Sequence, residues 1–153
     1  MASIFRRVLV PHDLSDHATR ALQMAAGLAR EHRGRLHVLH VVTPFYPVAD
    51  FPGPEGVLLL PPSDLIGRVR ARLESIVRRT VGRRLGSRVE CRVVIGDPIE
   101  RILAAARRAD SIVMATAGRS GLSHLLLGSV AEKVVRSATV PVLTIRPASR
   151  RRR

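Results

Sequence analysis

Ser111-Ile112-Val113-Met114-Ala115-Thr116-Ala117-Gly118-Arg119-Ser120-Gly121 opens on a strand-like run, apolar from Ile112 to Ala115, and becomes, after five residues, a loop rich in Gly and Ser. An apolar run of that length bounded by turn residues reads as a buried strand. Gly128-Ser129 then opens a helical pattern carried by Val130, Val134 and Val135, and Val140 to Ile145 is another strand-like run. A strand, a crossover helix and a second strand make the unit from which parallel sheets are built.

Toward the N-terminus the same alternation recurs. Val89 to Ile95 is strand-like, and Gly96-Asp97-Pro98-Ile99-Glu100 starts a helix, with Asp97 as N-cap, Pro98 at its first position and Glu100 at its third. That helix is expected to bury Ile102, Leu103 and Ala106. Ser63 or Asp64 begins a longer helix with Leu65, Val69, Leu73, Ile76 and Val77 on one side and Arg68, Arg70, Arg72, Arg78 and Arg79 on the other. Leu36 to Val42 is a strand, preceded by a helix capped by Ser15 or Asp16 and striped by Leu22, Ala25, Leu28 and Ala29. Ile4 to Val10 is the first strand, stopped by Pro11. The order predicts an α/β fold: an open, doubly wound, five-stranded parallel sheet with helices on both faces. Ligands of such sheets bind beyond the strand carboxyl ends, where the strand order reverses. That draws attention to Pro11 to Ser15 and to Ala115 to Ser129.

Thr43 to Pro62 breaks the pattern. Six prolines and two glycines make it a long connection, of the kind often used as a lid or interaction surface. Its apolar Val57-Leu58-Leu59-Leu60 is expected to pack against the body or a partner. Residues 1–147 read as one domain, and 148–153 as a disordered basic tail.

Composition narrows the class. Aromatics are 3% of the chain, so the core must be aliphatic, and Cys91 alone excludes an internal disulfide or a cysteine metal site. No signal peptide and no apolar run of spanning length is visible, which leaves the cytoplasm as the expectation and no membrane as partner. The net charge is +14, and all but one of the 26 basic residues are arginine. Arg150 to Arg153 hold four of those charges. Such a surface attracts polyanions. No helix-turn-helix, zinc-finger or aromatic-studded RNA-binding pattern accompanies it, so a solvated arginine-rich face is the plainer reading and nucleic-acid association at most weak.

The residues from Ala115 to Ser129 carry the chemical content. Small residues let backbone N–H groups approach phosphate oxygens, and the start of the next helix adds unpaired N–H groups and the positive end of its dipole. The Ser129 hydroxyl could donate, and Arg119 or His124 could meet outer phosphate charge. A tight turn is the alternative use of those glycines. His12 beside Asp13 are two metal-capable side chains, too few for a site, and Asp13 could equally cap the following turn. No catalytic triad or P-loop spacing is present, and no catalytic residue is assigned.

These segments resemble universal stress proteins along nearly the whole chain. The resemblance rests on Val8-Leu9-Val10-Pro11-His12-Asp13-Leu14-Ser15, Leu39-His40-Val41-Val42, Gly96-Asp97-Pro98, Leu125-Leu126-Leu127-Gly128-Ser129-Val130-Ala131-Glu132 and Pro141-Val142-Leu143-Thr144-Ile145. It implies the adenine nucleotide alpha hydrolase-like form of the sheet. The nucleotide-binding branch carries Gly, two residues, Gly, nine residues, then Gly-Ser or Gly-Thr. Gly118 and Gly128-Ser129 fit that spacing, whereas Ala115 stands at the first glycine and Ala117 where a histidine is common. Ala115 is compatible with a strand-like backbone. A left-handed one would cost about 1 kcal/mol or more.

The resemblance further implies that Pro11, Asp13 and Val41 line the adenine and ribose end, that Met114 packs on the base, and that Gly118, Gly128, Ser129 and Val130 hold the phosphates. The ligand so implied is an adenine nucleotide, first of all ATP, with or without magnesium. The protein would be a stress-response sensor or switch with at most slow hydrolysis, and a homodimer paired through the Val140 to Ile145 edge strand. The competing reading is an interaction module of the same fold that binds no nucleotide.

Overall fold

The computed structural model describes residues 3–44, 63–82, 85–116 and 128–146. Five strands, β1 (Arg7–Pro11), β2 (Arg35–Val42), β3 (Val89–Ile95), β4 (Ser111–Ala115) and β5 (Val142–Ile145), alternate with four helices, α1 (Asp16–Glu31), α2 (Ser63–Val81), α3 (Pro98–Ala106) and α4 (Ser129–Ser137). All strand pairs are parallel, in the order β3-β2-β1-β4-β5. The expected open, doubly wound sheet is therefore present. Its order reverses between β1 and β4.

Side-chain alternation along the buried strands divides the core in two. Val8, Val10, Leu36, Val38 and Val113 pack with α1 and α2, whereas Leu9, Leu39, Ile112 and Met114 pack with α3 and α4. Helix α1 presents Leu22 and five alanines, Ala18, Ala21, Ala25, Ala26 and Ala29, and the small alanines let it lie close to the sheet. Ser15 caps α1 by accepting from the Ala18 amide, and Asp97 caps α3 by accepting from Glu100. Each cap contributes about 1 kcal/mol.

Several boundaries differ from the sequence reading. Ile4-Phe5-Arg6 is a turn ahead of β1, closed by the Arg6 amide on the Ser3 carbonyl, and Phe5 packs on the α1–α2 core and against the His32 ring. Pro11 ends inside β1 and stands opposite Leu39. It cannot donate on its other side, and the β1–β4 register covers only Val8 and Leu9. The two strands thus part at their carboxyl ends, which is what opens a crevice. Leu103 is half-buried and Val135 is exposed, because α4 turns Ala131 and Val134 inward and leaves Val135 off that stripe. β5 starts at Val142, and Val140 instead packs on the α3–α4 core. The α2 arginines lie on the exposed face as expected. The Val57 to Leu60 segment and the arginine tail lie outside the described residues.

At the opposite end of the sheet, α1 closes in a Schellman arrangement: the Gly34 amide bonds the Ala29 carbonyl at 2.7 Å and Arg33 bonds Arg30 at 3.4 Å. Gly34 is required by a close approach. A Cβ there would sit 2.0 Å from the Phe5 carbonyl oxygen.

Candidate functional site

A crevice of about 320 Å³ lies over the carboxyl ends of β1 and β4. Pro11, His12 and Asp13 line it from the end of β1, and Met114, Ala115 and Thr116 line it from the end of β4. Val41 and Thr43 from the end of β2, with Pro98 and Ile102 from α3, close one side. The start of α4, Gly128 to Ala131, closes another. The sequence reading placed Pro11, Asp13, Val41, Met114, Ala115, Gly128, Ser129 and Val130 in one site, and the fold brings all eight together. Gly118 and Arg119 lie outside the described residues.

The β1–α1 turn is locked by a chain of hydrogen bonds that the sequence reading did not foresee. His12 is buried, and its amide bonds the Leu39 carbonyl at 2.9 Å, continuing the β1–β2 ladder. Its Nδ1 accepts from the Leu14 amide at 3.0 Å, which holds Leu14 at a left-handed φ of 68°. The Thr19 hydroxyl donates to the Ser15 carbonyl at 3.0 Å, so its oxygen is left to accept from His12 Nε2 at 3.4 Å. Nδ1 is thus the bare nitrogen and Nε2 carries the hydrogen. From β2, the buried His40 donates its Nδ1 hydrogen to the His12 carbonyl at 2.6 Å. Burial pushes the His12 pKa down to about 4; Asp13 opposes that shift and His40 adds to it. His12 is a neutral structural acceptor near neutral pH. Both ring nitrogens are engaged, and no group of three or more metal-capable side chains occurs among the described residues.

Asp13 does what its alternative reading held while also lining the crevice. Its Oδ1 accepts from the Ser15 amide at 3.1 Å and the Ser15 hydroxyl at 2.5 Å, and Ser15 in turn caps α1. Both bonds fall on Oδ1, which fixes the carboxylate as a rigid negative group at the crevice edge.

Ala115 has strand geometry. It pairs with Ile145, its φ is not positive, and it packs on the α1–α2 core. The replacement of glycine here therefore carries no backbone strain. Beyond it, the Thr116 amide bonds the Ile145 carbonyl at 3.0 Å, and the Thr116 carbonyl accepts from the Gly128 amide at 2.6 Å. That last bond pins the start of α4 to the end of β4.

The N-terminus of α4 differs from those of α1 and α3. Helices α1 and α3 have side-chain caps, but the N-cap of α4 is Gly128, which has no side-chain acceptor. The first amides of α4, at the crevice wall, lack an acceptor from their own cap and sit at the positive end of a helix dipole. Met114, Val41, Leu39 and Ile102 give the same hollow an apolar lining. The hollow thus offers an apolar lining, a fixed carboxylate and an anion-attracting helix start.

Comparison with known proteins agrees with this architecture. Residues 4–146 match the family model described as the universal stress protein family. A Thermus aquaticus protein, "Universal stress protein in QAH/OAS sulfhydrylase 3'region", is 34% identical over 145 residues, which cover 94% of this chain and 100% of the relative. Among solved structures, a universal stress protein from Archaeoglobus fulgidus in complex with dAMP is 25% identical, with a TM-score of 0.63 over 94% of this chain and 100% of that one. A universal stress protein in complex with cAMP shares the fold with a TM-score of 0.67 at 24% identity, over 94% and 98% of the two chains.

Proposed function

We propose that this chain, which belongs to the universal stress protein family, binds an adenine nucleotide, ATP first of all, in the β1–β4 crevice and acts as a stress-response sensor or switch. One observation carries the reading. The α4 start, without a side-chain cap, and the apolar lining of Met114 and Val41 share a single hollow at the point where the strand order reverses. An anion at the helix start would satisfy amides that Gly128 cannot, and a base would exclude water from the apolar lining. In this reading Pro11, Val41 and Met114 hold the base, Asp13 accepts from the ribose hydroxyls, and Gly128, Ser129 and Val130 hold phosphate, with Gly118 and Arg119 completing the cradle. The dAMP and cAMP of the two solved complexes belong to those proteins, and they support the choice of adenine.

Calorimetric titration with ATP tests the proposal, repeated on Ser129→Asp. An aspartate in the first turn favours the helix and repels phosphate, so folding is kept while binding is lost. One site in the wild type and an affinity weakened about tenfold or more in the variant are expected. No heat in the wild type, or equal affinities, would reject the proposal.

The working unit we propose is a homodimer in the cytoplasm. β5 is a sheet edge, Leu143 on it is exposed, and exposed Val135 lies on the preceding helix. An apolar edge is protected by pairing with a copy of itself.

A further inference from the structure

The end of the sheet where the strands begin, opposite the crevice, has a separate chemistry. Arg6, Arg7, Arg33 and Arg35 surround a shallow hollow of about 450 Å³, together with Ser3 and Asp110. We propose that this pole is a second ligand site, for a compact oligophosphate such as a di- or triphosphate group, independent of the nucleotide crevice.

Charge supplies the first reason. Among the described residues Asp110 is the one carboxylate lining the hollow, and Arg7 engages it through Nη2 at 2.6 Å and Nε at 3.2 Å. That pair cancels. Arg6, Arg33 and Arg35 have no ion-pair partner among the described residues, which leaves three guanidinium groups around one concavity. Their charge and forked donors match an oligophosphate.

The second reason is that local backbone preference is overridden to keep Arg33 at this pole. Arg33 is the residue after the C-cap of α1, where a Schellman arrangement favours glycine, and it is held at a left-handed φ of 53°. Arg35 stands in register with Arg7, which places a further cation beside the Arg7–Asp110 pair. A solvated arginine face could be built without a left-handed arginine. A residue held in a disfavoured backbone conformation points to a function for its side chain.

The third reason is rigidity. The Arg35 amide bonds the Arg6 carbonyl at 2.7 Å, and the Asp110 amide bonds the Arg7 carbonyl at 2.8 Å. The bare Gly34 lets the turn close onto Phe5. The arginines therefore project from a fixed backbone, which lowers the ordering cost of binding.

The test is titration of the full chain with inorganic tripolyphosphate, followed by amide NMR shifts and by calorimetry over a range of KCl concentrations. Shifts should centre on residues 3–7, 33–35 and 110. Arg33→Gly should raise the melting temperature by removing the left-handed arginine, and at once weaken tripolyphosphate about tenfold and flatten the salt slope by about one. Opposite movement of stability and binding is not produced by general damage. Three results would overturn the proposal: shifts confined to residues 128–131, unchanged affinity in Arg33→Gly, or tighter binding at the pole of an oligonucleotide lacking terminal phosphates. The last would point to a nucleic-acid backbone instead.

Discussion

Replacing His12 by asparagine should remove most of an acid sensitivity from the folded protein. In the native state the ring is 3% exposed and neutral, with Nδ1 taken by the Leu14 amide, and its pKa lies at about 4. In the unfolded chain it returns to about 6.5. Between those values the unfolded state binds the extra proton, so stability rises with pH. The contribution is fully present above pH 6.5 and is lost as the pH falls toward 4. Each pH step of one across that window removes about 1.4 kcal/mol, so by pH 4.5 the loss amounts to about 2.5 kcal/mol. The asparagine Oδ1 occupies the place of Nδ1 and keeps an acceptor for Leu14, but it does not titrate.

The assay is urea unfolding of both proteins between pH 7.5 and 4.5, read as the difference in free energy. The groups facing His12 are Asp13, which is present in both proteins, and His40. Asp110, whose carboxyl Arg7 holds below the ordinary carboxylate range, lies at the other end of β1 and cancels in the difference. The wild type should lose about 2–3 kcal/mol more than the variant over this range. A flat difference would refute the placement of a neutral, buried acceptor under the crevice. Mutation to valine, which offers no acceptor, should cost a further 1–3 kcal/mol or so at neutral pH through the orphaned Leu14 amide.

Two other outcomes follow from the packing. Gly34→Ala should destabilise the protein by about 3 kcal/mol, because both nearest atoms are Phe5 backbone and cannot swing aside; a melting temperature lowered by roughly 10 °C checks it, and an unchanged one contradicts the close approach. Leu143→Asp at the sheet edge should convert dimer to monomer in sedimentation velocity without loss of helix content, and a wild type that sediments only as monomer at micromolar concentration would remove the dimer proposal.

Where runs of apolar residues end at turn residues, the sequence was legible almost to the residue. β3 and β4 fall at the expected Val89–Ile95 and Ser111–Ala115, and the Asp97-Pro98-Ile99-Glu100 start caps α3 as read. The first strand was harder, because Phe5 is apolar for packing on the core and not for pairing, and Ile4 beside it is exposed. Pro11 looked like a stop, yet it joins the ladder toward β2, where its missing hydrogen is not needed. Eight of the ten expected site residues meet at the crevice, since topology alone carries strand ends and helix starts to the same place. The role of His12 was hidden for a different reason. It depends on a left-handed Leu14, and no spacing of residue types announces that conformation. Ala115 was ambiguous in sequence, and its strand pairing with Ile145 resolves it as an unstrained replacement.

The most direct measurement is a crystal structure of the protein grown with ATP. Density for a base between Val41 and Met114, with phosphate against the Gly128, Ser129 and Val130 amides, is the predicted result. A crevice occupied by the protein's own side chains while ATP is present in excess would contradict it.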